Sequence, residues 1–199
     1  MGDDAALRER ADELVAVTTE QGFPFWHAEG TVFRGWVKVK DGDVAEGISL
    51  LHAGSTDLRA TGMVAWTTHA FALLAEAYEI AGEIEKGLAW LDRALHVSET
   101  TGITWLAAEL NRRKGQLLLR QGNNDAAEEL YRKGLCIAQE QEAKLWELRG
   151  ALSLARLWGE EGRRAEARDL LAPVCAWFTE GFDTPDLKEA KALLDQLDE

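Results

Sequence analysis

An all-α chain built as a stack of helical hairpins is what this sequence predicts, and three observations predict it. Gly42, Gly82, Gly122 and Gly162 stand 40 residues apart each time. Between them the apolar positions keep a helical spacing, as in Ala70, Leu73, Leu74, Ala77 and Tyr78, then Ile84, Leu88, Leu91 and Leu95. Good helix formers dominate, and only 3 of 199 residues are proline. About ten helices fit, arranged as one right-handed α-solenoid domain over residues 1–199.

Each element follows in turn. Residues 3–20 keep the register of a second helix, since Leu7 falls 40 before Gly47 and Gly22 falls 40 before Gly62. No first helix precedes them, so they form a half repeat. An array that opens half-way through a unit reads as a piece of a longer protein; a natural N-terminal cap is the alternative. Four full repeats follow at 23–61, 62–101, 102–141 and 142–180. Their first helices are expected near 24–40, 64–80, 104–120 and 144–160. Their second helices are expected near 43–60, 84–100, 124–141 and 164–179. A last helix over 184–198 has Thr184 as N-cap, Pro185 at its first position and Asp186 in the positive first turn. Leu187, Ala190, Leu194 and Leu197 give it one apolar stripe that covers the open end of the array.

Other columns share the 40-residue period. Seven residues before each glycine stand Gly35, Ala75, Gly115 and Ala155, and five after it Gly47, Gly87, Ala127 and Ala167. These small residues let two helix backbones approach. Leu51, Leu91, Tyr131 and Leu171 fill the space between hairpins. Trp26, Trp66 and Trp146 repeat in the same way and are expected to pack there, while Tyr78 shares a column with Trp158. The glycine itself joins the two helices, where a left-handed residue is cheapest as glycine.

In the second repeat the order is Ala75, Tyr78, Gly82, Gly87, Leu91 and Ala94. That order resembles the tetratricopeptide repeat, with units longer than the usual length of about 34 by roughly six residues. Stretches such as QGFPFWHAEG, RQGNNDAAEELYRKGL, LRGALSLARLW and WFTEGFDTPDLKEAKALLDQL resemble the C-terminal repeat region of large bacterial signalling proteins. Those proteins carry an ATPase module, often behind a class III adenylate or guanylate cyclase domain. The resemblance implies a bacterial, cytoplasmic, signal-transducing context. It implies no activity for this chain, because the catalytic modules would lie upstream of residue 1.

The net charge of −13 argues against bare nucleic acid, which demands a basic stripe. No apolar run approaches the roughly 20 residues of a membrane span. The N-terminus MGDDAALRER lacks a signal-peptide core, and Ala6 stands where a myristoylation motif wants Ser or Thr. Cys136 and Cys175 have no CxxC spacing and are expected to be two reduced, buried thiols.

Chemical motifs are few. Gly42 to Ser49 and the matching GEIEKGLA copy the glycine spacing of a phosphate-binding loop, yet Ile48-Ser49 and Leu88-Ala89 replace its lysine and hydroxyl. The repeat period explains that spacing. None of His27, His52, His69 and His96 lies in a zinc motif, and no GxSxG occurs. Adjacent carboxylates such as Glu128–Glu129 point about 100° apart on a helix and do not converge. Neither catalytic residues nor cofactor or metal ligands are nominated, and no enzyme activity is expected.

The function this pattern favours is a protein–protein interaction scaffold. It would bind a peptide, a partner domain or its own upstream domains in the groove lined by first helices. The columns that line such a groove supply Glu29, Trp36, His69, Glu76, Arg112, Gln116, Arg149 and Arg156 as candidate contacts. Trp36 is expected as an exposed anchor, since aromatic and Arg side chains dominate interface energetics. Glu29, Glu76 and Glu79 come early and Arg112, Arg149 and Arg156 late, so the groove runs from acidic to basic. The alternative is a small-molecule sensor that regulates an attached ATPase or cyclase. The first helix, with Leu7, Leu14 and Val15, is expected to leave apolar groups open and to permit a homodimer.

Overall fold

A computed structural model describes residues 4–198 and consists of helices and turns throughout. The expected half repeat begins at residue 3, which lies outside the described residues, as do residues 1, 2 and 199. Ten helices follow one another among the described residues: α1 (Asp4–Gln21), α2 (Pro24–Lys40), α3 (Val44–Ala60), α4 (Val64–Ile80), α5 (Ile84–Thr101), α6 (Ala107–Arg120), α7 (Asn124–Glu140), α8 (Lys144–Glu160), α9 (Arg164–Ala176) and α10 (Pro185–Asp198).

The turns explain the glycines. Asp43 N–H donates to Lys38 O at 3.0 Å and Gly42 N–H to Val39 O at 3.1 Å. This crossed pair closes a helix through a left-handed residue and satisfies carbonyls that the helix end would leave open. The same pair recurs at Gly82, Gly122, Glu142 and Gly162. Left-handed residues stand at Gly22, Gly42, Gly62, Gly82, Gly102, Gly122, Glu142 and Gly162, one every 20 residues. The period in the backbone is therefore one helix plus one joint. Glu142 is the single non-glycine among these joints, at φ 52°, and a side chain there costs about 1 kcal/mol.

The contacts divide the chain into two compact units, residues 1–104 and 105–199. The division falls in the joint 102–106, where α5 ends on left-handed Gly102 and α6 begins only at Ala107. The expected start of α6 at 104 is thus three residues early. Ser98 Oγ donates to Ile103 O at 2.8 Å, which ties the chain just beyond Gly102 back to the end of α5. In the first unit, Val32, Leu51, Leu58, Leu74 and Leu91 are fully buried between α2, α3, α4 and α5. In the second, Tyr131, Leu148, Leu154, Leu157, Leu171, Leu187 and Leu193 form one core.

Close helix approach depends on the small columns. A Cβ on Gly47 would lie 2.5 Å from Val39 Cγ2 and 2.7 Å from Gly35 O, and one on Gly35 would lie 2.8 Å from Leu51 N. Helix α9 stops at Ala176, three residues short of expectation, and carries Pro173, which has no N–H to continue the ladder. Thr184 does not cap α10 with its side chain; its hydroxyl turns back and donates to Gly181 O at 2.7 Å. Leu14 and Val15 lie against the Gly30 position of α2 rather than facing outward, so the apolar end expected on α1 is largely used internally.

Candidate partner-binding site

In the second unit, α6 and α8 are successive first helices, and α10 lies against α8. Over them opens a cleft of about 580 Å³. Arg112, Gln116, Arg149 and Arg156 all line it, so four of the eight sequence candidates meet in one place. Arg113, Arg120, Glu109, Asp186 and Glu189 line it as well. The column rule explains the first group: residues four and seven apart on a helix share a face.

Glu109 organises the floor. It is 3% exposed. Arg112 Nε donates to its Oε2 at 2.7 Å and Arg112 Nη2 to its Oε1 at 2.8 Å. Arg113 Nε adds a bond to Oε1 at 2.9 Å. Burial pushes the Glu109 carboxyl up, but the Arg112 hydrogen bonds and the charges of Arg112, Arg113 and Arg149 outweigh it and hold the group below its ordinary range. Arg112 Nη1 also reaches Gln116 Oε1 at 3.2 Å and Ser153 Oγ at 3.3 Å. This fork therefore ties α6 to α8. Arg149 stands 5.2 Å over the Trp146 ring.

The first unit places its candidates differently. Glu29 is 2% exposed, with neither carboxylate oxygen hydrogen-bonded. Burial pushes its pKa up to about 7. It is a core residue here, beyond a partner's direct reach. The cause is readable by adding 80: where Glu109 has Arg112 and Arg113, Glu29 has Val32 and Phe33. His69 holds the Arg149 place and lies 6.2 Å from the Phe33 ring. Trp36 and Glu76 are half-buried, so Trp36 is not the open anchor expected.

Trp26 is 49% exposed rather than packed between hairpins, and meets Phe25 edge-on at 4.7 Å. Phe25 in turn lies 6.1 Å from Trp66. Beside them Phe23, Phe25, His27 and Thr61 line an open, apolar cleft of about 710 Å³. Sequence reasoning missed the exposure of Trp26 because its column partners Trp66 and Trp146 are half-buried, and missed the cleft because Phe23 and Phe25 belong to no repeat column it used. It also missed Asp186 and Glu189, which lie outside the repeats and so outside any column.

No group of three or more His, Cys, Asp or Glu among the described residues is arranged to hold a metal ion. No described helix is long and apolar enough to cross a membrane.

The sequence of residues 113–133 and 148–173 matches the tetratricopeptide repeat family. No curated protein sequence matches the chain. Solved structures resemble it in fold. The crystal structure of BtubC (BKLC) from P. vanneervenii is 16% identical, with 100% of this chain and 91% of that one covered and a TM-score of 0.76. The tetratricopeptide-like repeats of a kinesin light chain from Podosopora anserina are 17% identical, covering 98% and 89% at a TM-score of 0.61. A Rap protein complexed with competence and sporulation factor is 14% identical, covering 96% of this chain and 58% of that one at 0.68. The chain has an all-α, tetratricopeptide-like solenoid fold, and two stretches of its second unit carry the repeat's own sequence signature.

Proposed function

We propose that the chain is a protein-interaction module, and that its docking site is the arginine-lined cleft over α6 and α8. The observation that carries this is the gathering of Arg112, Gln116, Arg149 and Arg156 on successive first helices around one cleft of about 580 Å³. Five arginines line that cleft, in a chain whose net charge is −13. Such a local reversal of sign selects a partner segment of opposite charge and orients it. The fold supports the reading: a Rap protein of the same fold is complexed with competence and sporulation factor. Membership in a longer bacterial signalling protein is supported by the sequence resemblance alone.

Selection of displayed random peptides on the immobilised chain tests this. Enrichment of Asp and Glu is expected, with binding lost in an Arg120→Gln/Arg156→Gln variant. Both positions are exposed, so the fold tolerates the change. Peptides without acidic bias, or peptides indifferent to the two arginines, would remove the cleft as the docking site.

A further inference from the structure

Two carboxylates already sit in the cleft, and the chain supplies them. Asp186, in the first turn of α10, accepts a fork from Arg149: Nε to Oδ1 at 2.7 Å and Nη2 to Oδ2 at 3.0 Å. Glu189, three residues later, accepts from Arg156 Nη2 at 2.6 Å. Residues three apart on a helix share a face, and so do the two arginines seven apart on α8. A helix with two acids one turn apart thus meets a helix with two cations two turns apart.

These pairs are not what holds α10 in place. Leu187, Ala190 and Leu193 do that, buried in the core of the second unit. The Arg156–Glu189 pair is about half exposed, with side chains at 44% and 54%, and such pairs contribute little to folding. Glu189 can therefore leave Arg156 by side-chain rotation while the helix stays seated; the Arg149–Asp186 fork, with side chains at 30% and 23%, is the more enclosed of the two and opens second. Their presence lowers the cleft's net charge without closing it: five arginines face Glu109, Asp186 and Glu189. The paired geometry also records what this site recognises, because a fork of two N–H groups fits a carboxylate edge in one plane.

We propose that the first turn of α10 is a built-in stand-in for the partner, and that the partner is a helical protein segment with two carboxylates one turn apart. That segment takes Arg149 and Arg156 from Asp186 and Glu189. The proposal rests on the cleft being the docking site. A tethered competitor is present at high effective concentration, so the resting chain binds more weakly than its arginines allow.

The test uses the full chain and a fluorescein-labelled, alanine-rich helical peptide with Asp and Glu three positions apart, followed by anisotropy. The same peptide with Asn and Gln is the control. Binding to the chain is expected to need the acids and to weaken at least about threefold between about 50 and about 300 mM NaCl. Freeing the arginines in Asp186→Asn/Glu189→Gln, or in Glu189→Gln alone, is expected to tighten it by about fivefold to tenfold. Arg149→Gln/Arg156→Gln is expected to weaken it by at least about tenfold. A charge-matched control, Glu129→Gln/Glu180→Gln, changes exposed acids elsewhere and should stay within about twofold. Circular dichroism melts confirm that each variant folds.

An unchanged affinity in both α10 variants, with loss in the arginine pair, would overturn the stand-in and leave the docking site standing. No binding by any variant would overturn both. Equal tightening in the charge-matched control would reduce the effect to net charge and overturn the stand-in. An oligothymidylate that binds as tightly as the peptide would overturn the assignment to a protein segment.

Discussion

Glu29 and Glu109 hold the same place in the repeat, 80 positions apart, and their neighbours decide their charge. Glu109 meets Arg112 and Arg113 and stays ionised. Glu29 meets no hydrogen-bond donor, and its pKa rises to about 7 from an ordinary value of 4.5. The sign for stability follows by linkage. Below the ordinary value the group is protonated in both folded and unfolded chains and has no effect. As pH rises through the interval up to about 7, the unfolded chain releases the proton first, so stability falls. The total loss is about 3 kcal/mol, and the curve is flat above the folded pKa. Urea unfolding at pH 5 and pH 8 should therefore show the wild type losing stability where Glu29→Gln does not. Equal losses in the two proteins would mean that Glu29 is solvated or paired in solution. The sequence held the signal for this contrast in Val32 and Phe33, but only once the two glutamates were aligned as equivalents. Burial itself was not legible, because the column also contains His69 and Arg149, which are half-buried.

Among elements, the joints and the helix crossings use glycine for different reasons, and substitution separates them. At Gly42 the surroundings are open but φ is +92°, so Gly42→Ala should cost about 1 kcal/mol. At Gly47 the backbone is helical, and a methyl would strike Val39 Cγ2, Gly35 O and Val39 N within 2.8 Å. Backbone atoms cannot swing aside as a side-chain tip can, so Gly47→Ala should cost about 2–3 kcal/mol. Chemical denaturation of the two variants checks the order; a smaller loss at Gly47 would mean that α2 and α3 slide apart easily. Most elements were legible because one period fixed them all: α2, α4 and α8 span the expected residues. The misses have local causes. Pro173 interrupts the ladder in α9, and Ser98 with Gly102 lengthens the joint before α6. Gly102 keeps the 20-residue beat, but the Ser98–Ile103 bond and Pro173 have no equivalents in the other repeats, so periodicity could not reveal them.

Across the whole molecule, charge is distributed unevenly. The first unit has 8 Lys and Arg against 17 Asp and Glu, a balance of −9, and the second has 14 against 18, a balance of −4. The candidate site lies in the less acidic unit. Its basic half was legible in the columns; its acidic half, Asp186 and Glu189, was not, because α10 has no equivalent to compare it with. Joint length divides the chain in a second way. Most joints take two or three residues, but 102–106 takes five and 177–184 takes eight. Trp105 and Phe182 are exposed in them, at 44% and 63%. Brief chymotrypsin treatment should therefore cut at Trp105 and within the Trp177–Phe182 loop before it touches the short joints. Mass spectrometry of the first fragments checks this, and early cleavage inside a helix would contradict it.

The 20-residue beat of left-handed joints has a consequence for how such a chain changes length. Within each unit, each joint reverses the direction of travel, so neighbouring helices run in opposite senses. Excising one beat leaves an odd count: every later helix then enters from the wrong end, and its oily side turns outward. Excising two beats preserves parity, and the remainder re-enters in phase. Growth or shrinkage of this chain by duplication and deletion is therefore confined to steps of 40 residues, twice the beat written in its backbone.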